Sequence, residues 1–375
     1  MRHLDTFVVG RFRGIQNLRL EELGQINLLV GDNNSGKTSV LEALSLYSDP
    51  LNRRAWSEIA NSREVSTGAS LSNLPVMPLV DRLIWLFYQQ EEHGTDDSST
   101  LFLASPNFEP LREMSATYRT FLSIGHSRSG SLKEIEKEIE VEQIQIDVSV
   151  TTSLVGPTLY DLDENRQIQH VFPENKRFSR LLQNKKPVVI AAQLINPFSH
   201  RLSNLQPQFW TKVVEADLKD STLNLLRSYD AKIQDIDLIF PDERRLVLSV
   251  KHQQLGRAPL STFGDGLRRI FTLATAIPQC RNGLLLIDEL ETAIHTKALR
   301  RTFEWLVNAC LQHNVQLFAT THSLETIDAV IDASKSEAVD LVGYRLERSE
   351  AQTGATRFDK GLLTRLREDL GMEIR

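Results

Sequence analysis

Ile26-Asn27-Leu28-Leu29-Val30 runs straight into Gly31-Asp32-Asn33-Asn34-Ser35-Gly36-Lys37-Thr38, and Ser39, Val40, Leu41, Ala43 and Leu44 follow. The first five residues read as a short buried strand, the next eight as a tight loop, and the rest as the start of a helix. In a loop of this Gly-x-x-x-x-Gly-Lys-Thr spacing, successive backbone N–H groups turn inward at a helix N-terminus and cradle phosphate oxygens. Gly31 and Gly36 permit the turn and the close approach. Lys37 would reach the β- and γ-phosphates, and the Thr38 hydroxyl would ligate Mg²⁺. Asp32, Asn33, Asn34, Ser35 and Ser39 complete the candidate phosphate-binding set.

Two further strands end in polar residues. Leu284-Leu285-Leu286-Ile287 is a continuous apolar run, as a strand covered on both faces of a parallel sheet requires, and it stops at Asp288-Glu289. Asp288 is a candidate metal residue, and Glu289 the candidate base that polarises an attacking water. Val315 to Ala319 is a second such run and leads into Thr320-Thr321-His322-Ser323. His322 is the candidate γ-phosphate contact. Three strands ending in polar groups predict an α/β fold with its ligand at the carboxyl edge of the sheet.

Leu260-Ser261-Thr262-Phe263-Gly264-Asp265-Gly266 precedes an amphipathic helix carrying Leu267, Ile270, Phe271 and Ala274. Small polar residues and two glycines at a helix start would form a second anion site. A chain that already has one phosphate loop would use the second site on the nucleotide of another copy. Ser261, Phe263, Gly264, Asp265 and Gly266 are therefore expected to act in trans, each ATP sandwiched between two subunits that meet head to tail.

Taken together, these motifs resemble an ABC-type ATPase of the SMC/RecF branch, and within it the OLD family (AAA_15/AAA_21-like). The resemblance covers the opening RFRGIQNLRL, GDNNSGKT, LSTFGDGLRR, LLLIDELETAIH and FATTHS. It implies a P-loop NTPase of ABC type with a mixed or parallel sheet core and an inserted α+β lobe. It also implies that Arg13 approaches the nucleotide, and that Glu291 and His295 sit in a D-loop at a dimer interface. The signature differs from that of transporter ATPases, which argues against transport. Val188-Val189-Ile190-Ala191-Ala192 reads as a strand leading to Gln193, which would occupy the place of a metal- and water-sensing glutamine.

The chain has 375 residues, 41% hydrophobic and 25% charged, the balance of a globular protein of one large or two ordinary domains. Its net charge is −6 and its pI about 5.9, so any DNA contact would need a local patch or a partner. The basic pairs Arg53-Arg54, Lys185-Lys186, Arg268-Arg269 and Arg300-Arg301 read as solvated faces. Two cysteines, Cys280 and Cys310, are too few for a disulfide framework. No apolar run approaches the ~20 residues that span a bilayer, and no signal-peptide pattern is visible, so a cytoplasmic location without membrane attachment is expected.

Lys37 and Asp288 stand 251 residues apart (288 − 37), far more than a minimal core needs. Residues 1–48 and 187–375 are expected to form the ATPase core, and 49–186 the insertion. Within the insertion, Asn73 to Gln90 has helical periodicity and Glu91 to Thr100 is polar. Ile139 to Val150 alternates like a half-exposed strand with a slip at Gln143 that suggests a bulge. Lys133 to Glu142 reads alternatively as a short charged helix. Downstream, the pattern predicts a helix over Trp210 to Tyr229, a strand over Arg245 to Val250, a helix over Leu324 to Ile331, a strand near Val342 to Leu346 and a tail helix over Leu362 to Leu370. Long heptads are absent, so extended coiled-coil arms are not expected.

Many OLD-like proteins continue into a Toprim nuclease domain. The triplets Asp161-Leu162-Asp163 and Asp235-Ile236-Asp237 lie upstream of the signature, where a C-terminal Toprim site would not be, and read as solvated loop carboxylates. The chain itself is therefore not expected to be a nuclease. Two functions follow. One is a nucleotide-gated scaffold, an ATP-bound homodimer or higher oligomer that holds an effector, such as a Toprim-type nuclease, in anti-phage defence. The other is a DNA-linked ATPase motor or clamp in repair or recombination.

Overall fold

All five residues of Ile26–Val30 are buried, and in the computed structural model they lie inside a six-stranded sheet. The structure describes residues 3–63, 77–89, 100–105, 111–127, 137–153, 164–172, 190–202, 207–242, 245–336, 338–349, 352–369 and 371. The sheet runs in the order Thr353–Asp359, Leu341–Arg348, Ile26–Val30, Gln316–Thr320, Leu284–Ile287, Ala192–Ile195. All neighbours are parallel except the first pair, which is antiparallel. This α/β architecture is the one the apolar runs predicted, because strands covered on both faces need no polar alternation.

Two buried polar side chains fit this interior because they are fully used. Asn27 exchanges hydrogen bonds with Gly24 (2.8 and 2.9 Å) and donates to the Leu317 carbonyl at 3.1 Å. Gln316 accepts from the N–H groups of His3 (3.0 Å) and Leu4 (2.9 Å) and donates to the carbonyls of Leu4 and Gly24, both at 2.8 Å. Unsatisfied, either group would cost about 1–3 kcal/mol. Helices Lys37–Ser48, Thr296–Gln312 and Leu324–Ala333 follow strands of this sheet, Asp265–Gln279 precedes Leu284–Ile287, and Phe271, Ile277, Phe303, Leu306 and Val307 join the core. Cys280 and Cys310 are buried free thiols.

The chain divides into two compact units. The first comprises residues 1–6, 19–48 and 190–375, and the second 7–18 and 49–189. Phe7–Phe12 groups with the second unit because it pairs with Leu101–Ser105, far from it in sequence. The second unit holds a sheet ordered Ile15–Leu20, Phe7–Phe12, Leu101–Ser105, Leu111–Ser127, Lys137–Ser153, Glu164–Phe172, antiparallel from Phe7–Phe12 onward. One face of this sheet carries an aromatic cluster, with Trp56 stacked on Phe87 (centroids 6.1 Å) and Phe87 tilted on Tyr118 (4.6 Å).

Several local expectations are corrected. The helix read over Asn73 to Gln90 is confined, among the described residues, to Leu79–Ile84; Pro78 caps it and Trp85 closes it. The long strand Lys137–Ser153 pairs with Leu111–Ser127 without a bulge at Gln143, which is itself buried like Ile144, so the broken alternation reflects a strand covered on both faces. Residues 137–142 are strand, not charged helix. Trp210 to Tyr229 is two helices, Pro207–Glu215 and Lys219–Tyr229, separated at Asp217, whose φ of 57° no helix interior tolerates. The tail carries the strand Thr353–Asp359, then the short helix Lys360–Thr364 and a π turn over Arg365–Asp369.

Asp235 and Asp237 lie in the strand Ile233–Asp242 rather than a loop; Lys219 pairs with Asp235 at 2.9 Å and Arg257 pairs with Asp237. Asp161 to Asp163, Lys185-Lys186, Val188-Val189 and Glu91 to Ser99 lie outside the described residues. Among the described residues, no helix is long and apolar enough to cross a membrane.

Candidate functional site

Because five strands of the main sheet are parallel, their carboxyl ends share one edge, and the phosphate-loop residues open from it at Val30. Gly31 has φ 134°, and a Cβ there would stand 2.4 Å from the Leu346 carbonyl oxygen, so only glycine fits. The loop then turns through Asn34 (φ 64°) and Gly36 (φ 100°) into the helix Lys37–Ser48. The Lys37 ammonium folds back over the loop and donates to the Gly31 carbonyl at 2.8 Å and the Asp32 carbonyl at 2.7 Å. Burial pulls its pKa down, against the opposing pull of Asp288 and Asp32.

Thr38 and Asp288 meet across 250 residues of sequence, the Thr38 hydroxyl lying 3.1 Å from both carboxylate oxygens. Thr320 joins them: its hydroxyl donates to Asp288 at 2.6 Å and accepts the Glu289 N–H at 2.8 Å. Asp288 is buried, which pushes its carboxyl pKa up although both hydroxyls favour the ionised form. A buried carboxylate beside a threonine hydroxyl is a set of hard oxygen donors, within electrostatic reach of the Lys37 and Arg269 cations. Among the described residues no three His, Cys, Asp or Glu side chains gather as a metal cage. This pair therefore suits an ion such as Mg²⁺, which takes one or two protein ligands and the rest from phosphate and water.

Glu289 follows with φ 48°, a left-handed backbone that a non-glycine residue adopts at a cost of about 1–3 kcal/mol. Its side chain is exposed, and one carboxylate oxygen accepts from the Thr292 hydroxyl at 2.9 Å. The strained turn is held from both sides, by Thr320 on its N–H and by Arg269 on its carbonyl.

Arg269 is the residue that sequence reading misplaced. It was expected on a solvated face, yet it is 0% exposed on the helix Asp265–Gln279. Its guanidinium donates to the carbonyls of Asn196 (2.8 Å), Asp288 (3.2 Å) and Glu289 (3.2 Å). Burial pulls its pKa down to about 10, and Asp288, Glu289 and Glu291 oppose that shift, so it stays charged at neutral pH. The signal lay in the helix itself: Leu267, Ile270, Phe271, Leu273 and Ala274 are all buried, leaving no solvated arc at position 269. Arg53, also read as solvated, lies over the Phe172 ring at 4.5 Å.

The remaining candidates divide. Glu291 accepts the His322 N–H at 3.1 Å, which ties the segment after Glu289 to the end of the strand Gln316–Thr320. His295 is exposed and caps the helix Thr296–Gln312 by accepting from the Lys297 N–H at 3.2 Å. Ser261, Gly264 and their neighbours form an exposed rim before the helix Asp265–Gln279, with Phe263 and Gly266 half-buried and Asp265 held by Arg201 at 2.9 Å. The structure does not bring Gln193 to Asp288. The strand runs on through Leu194 and Ile195, and Gln193 is level with Leu285, about 10 Å short of the edge at ~3.3 Å per residue. Asn196 holds the edge position instead. Arg13 belongs to the second unit, where its N–H bonds to Leu86 (2.9 Å) and its guanidinium to the Ile59 carbonyl (3.2 Å).

Residues 26–328 match the family described as "AAA domain, putative AbiEii toxin, Type IV TA system". A Helicobacter pylori protein named "ATP/GTP phosphatase" is 24% identical over 331 residues, 85% of each chain. An uncharacterised protein of Methanocaldococcus jannaschii is 31% identical over 114 residues, 30% of this chain and 98% of that one. Among solved structures, an SMC head bound to the C-terminal winged-helix domain of ScpA aligns over 96% of this chain and 98% of its own, with a TM-score of 0.48 and 10% identity. An SMC head from Thermotoga maritima gives a TM-score of 0.40 at 10% identity, over 96% and 99% of the two chains. The family match spans the phosphate loop, the Asp288–Glu289 strand end and His322, and the chain is thus an ATPase that belongs to the AAA_21 family.

Proposed function

We propose that two copies of this chain close head to tail around ATP and Mg²⁺, and that the closed assembly is a nucleotide-gated scaffold for an effector protein. The observation that carries the closure is Gly264. Its φ of −62° is open to any residue, and a Cβ there would meet nothing within 4 Å. Among the described residues, nothing inside the chain calls for a glycine at this place. It also leaves the following helix without a side-chain cap, beside the exposed Ser261. A helix start that is bare, exposed and free of bulk is what close approach to an outside triphosphate needs.

In this reading the phosphate loop wraps the β-phosphate, and Lys37 leaves its two loop carbonyls for the β/γ oxygens. Thr38 and Asp288 would hold Mg²⁺, which when bound neutralises phosphate charge. Glu289 accepts the proton of the attacking water, its exposed carboxylate facing the sheet edge. His322, steadied through its backbone by Glu291, contacts the γ-phosphate. Arg269 acts as a positioning residue that fixes the Asp288–Glu289 backbone from the helix that begins at Gly264. The partner's phosphate end and the water-activating turn are thereby set by one rigid helix.

The effector role rests on the resemblance to OLD-type ATPases, which favours antiviral defence with a separate effector and supplies a Toprim-type nuclease as its chemistry. Glu289→Gln tests the closure directly. The variant is expected to bind ATP, to hydrolyse it about 10²-fold or more slowly, and to accumulate as an ATP-dependent dimer by light scattering. Near-normal turnover would remove Glu289 from the mechanism, and a variant that stays monomeric with ATP bound would remove the sandwich.

A further inference from the structure

The helix Asp265–Gln279 begins in a cluster of charge that hydrolysis as described above leaves unused. Its first residue, Asp265, accepts from Arg201 Nε at 2.9 Å and again from Arg201 Nη2, both on the carboxylate oxygen Oδ2. Arg268 stands 3.4 Å from the other oxygen and donates to the Arg201 carbonyl at 3.4 Å. One carboxylate thus faces two guanidinium groups, and the surplus positive charge sits at a helix N-terminus that is itself partly positive. Arg201 is the exposed member, with 54% of its side chain reaching solvent against 19% for Arg268. A guanidinium carries five N–H donors, of which Arg201 gives two to Asp265. Beside the pair lies His200, 1% exposed, with neither ring nitrogen hydrogen-bonded among the described residues. Its Nε2 is 3.8 Å from Asp265 Oδ1, just beyond hydrogen-bond reach, and burial holds the imidazole pKa down. A small movement of Asp265 would give His200 a partner, so Arg201 can turn away without stranding the carboxylate.

We propose that Arg201 is a catalytic residue acting in trans, whose guanidinium turns from Asp265 to the γ-phosphate of the ATP held by the partner subunit's phosphate loop. The inference rests on the head-to-tail closure proposed above and adds the cation that closure lacks, since Leu260 to Gly264 carries no charged side chain. In hydrolysis the water oxygen bonds to the γ-phosphorus as the bond to the β–γ bridging oxygen breaks. A water proton passes to Glu289 of the ATP-holding subunit, ADP and phosphate leave, and negative charge builds on the phosphate oxygens in between. Arg201 moves no proton; it stabilises that charge through N–H donors already aimed by the ion pair. Arg268 is less suited, because it is mostly buried and bound to the Arg201 carbonyl. An ordinary surface ion pair would need one guanidinium, not two, and no unpartnered buried histidine behind its carboxylate.

The test uses ATPase assays on the full chain and on mixtures of variants. Arg201→Ala alone should lower kcat by roughly 10²- to 10³-fold, the cost of removing one donor from a developing oxyanion, with ATP affinity within about threefold because its own phosphate loop is intact. Arg201→Lys keeps the charge but not the fork and should recover part of kcat. Mixing then assigns the half-site. With Lys37→Ala, a mixed dimer keeps one site with both halves intact, and activity should return; with Gly264→Asp, whose defect lies on the same half, it should stay lost. The reverse pattern would put Arg201 on its own subunit's ATP and overturn the proposal, as would a near-normal kcat for Arg201→Ala. Asp265→Asn breaks the ion pair from its other end and should cost less than about tenfold. A fall as large as that of Arg201→Ala would make Arg201 a mere support for Asp265 and overturn the phosphate contact. Gly264→Asp mixed with Lys37→Ala keeps the two readings apart. Failure there brings down the closure and the role of Arg201 with it; recovery there, without recovery of Arg201→Ala by Lys37→Ala, removes Arg201 alone. Because Arg201 is exposed, the melting temperature of Arg201→Ala should stay within about 2 °C of wild type, and a collapse of the fold would trace the loss to unfolding, against the proposal.

Discussion

Replacing Arg269 separates positioning from packing. Arg269→Met keeps the volume and removes three charge-assisted hydrogen bonds, each worth about 1.5–3 kcal/mol. Two of the freed carbonyls keep another donor: Ser199 N–H reaches Asn196 at 3.1 Å, and Thr292 N–H reaches Glu289 at 3.0 Å. The Asp288 carbonyl loses its guanidinium contact, while the cost of keeping a buried charge disappears with the side chain. The net loss is therefore near one bond, about 2 kcal/mol, which lowers the melting temperature of a chain this size by roughly 2–3 °C. Activity should fall much further. The Glu289 turn is held in a left-handed backbone by Thr320 and Arg269, and releasing one side lets the carboxylate drift; about 1 Å of misplacement costs roughly 10²-fold.

The expected result is a fall in kcat of about 10²-fold with KM for ATP within about threefold of wild type. Steady-state kinetics well below both melting temperatures would show it, and Arg269→Lys, which retains the charge and some donors, should recover part of kcat. A variant that loses the expected stability yet keeps wild-type kcat would show that Arg269 only fills the core. Parallel changes in KM and kcat would place its effect on nucleotide binding and refute the positioning argument.

Lys37→Ala removes the one ammonium in the loop and should weaken ATP binding by roughly 10²-fold or more, read by calorimetry; unchanged affinity would sink the phosphate-loop reading. Asp288 gives a pH prediction. Burial raises its folded pKa above the unfolded 3.8, so the ionised group costs stability above the folded pKa, and that cost fades as pH falls through it. Asp288→Asn should therefore raise the melting temperature of nucleotide-free protein at pH 7 while abolishing Mg²⁺-dependent hydrolysis. A drop in melting temperature at pH 7 would contradict the sign.

The parts legible in the sequence were those with local signals. Ile26–Val30 and Leu284–Ile287 are apolar without alternation and end abruptly in chemistry-bearing residues, which few structures other than a parallel sheet edge explain. What escaped was set by distant partners. Phe7–Phe12 gives no hint that it pairs with Leu101–Ser105. Gln193 looked like a strand end because its amide interrupts the apolar run, although Leu194 and Ile195 extend it. Thr353–Asp359 is too polar to announce itself as a strand; its pairing with Leu341–Arg348 supplies the reason.

Complementation between two inactive variants tests the head-to-tail sandwich most directly. Gly264→Asp places a carboxylate where the partner's triphosphate would arrive, and aspartate is itself a favourable helix N-cap, so the fold should not suffer. Lys37→Ala removes the other half of the site. Each variant alone lacks one half of every site, but a mixed dimer retains one composite site built from two intact halves. The account predicts that each variant alone is inactive and that mixing them restores ATPase activity. No recovery on mixing, together with ATP-driven dimerisation that survives Gly264→Asp, would contradict it.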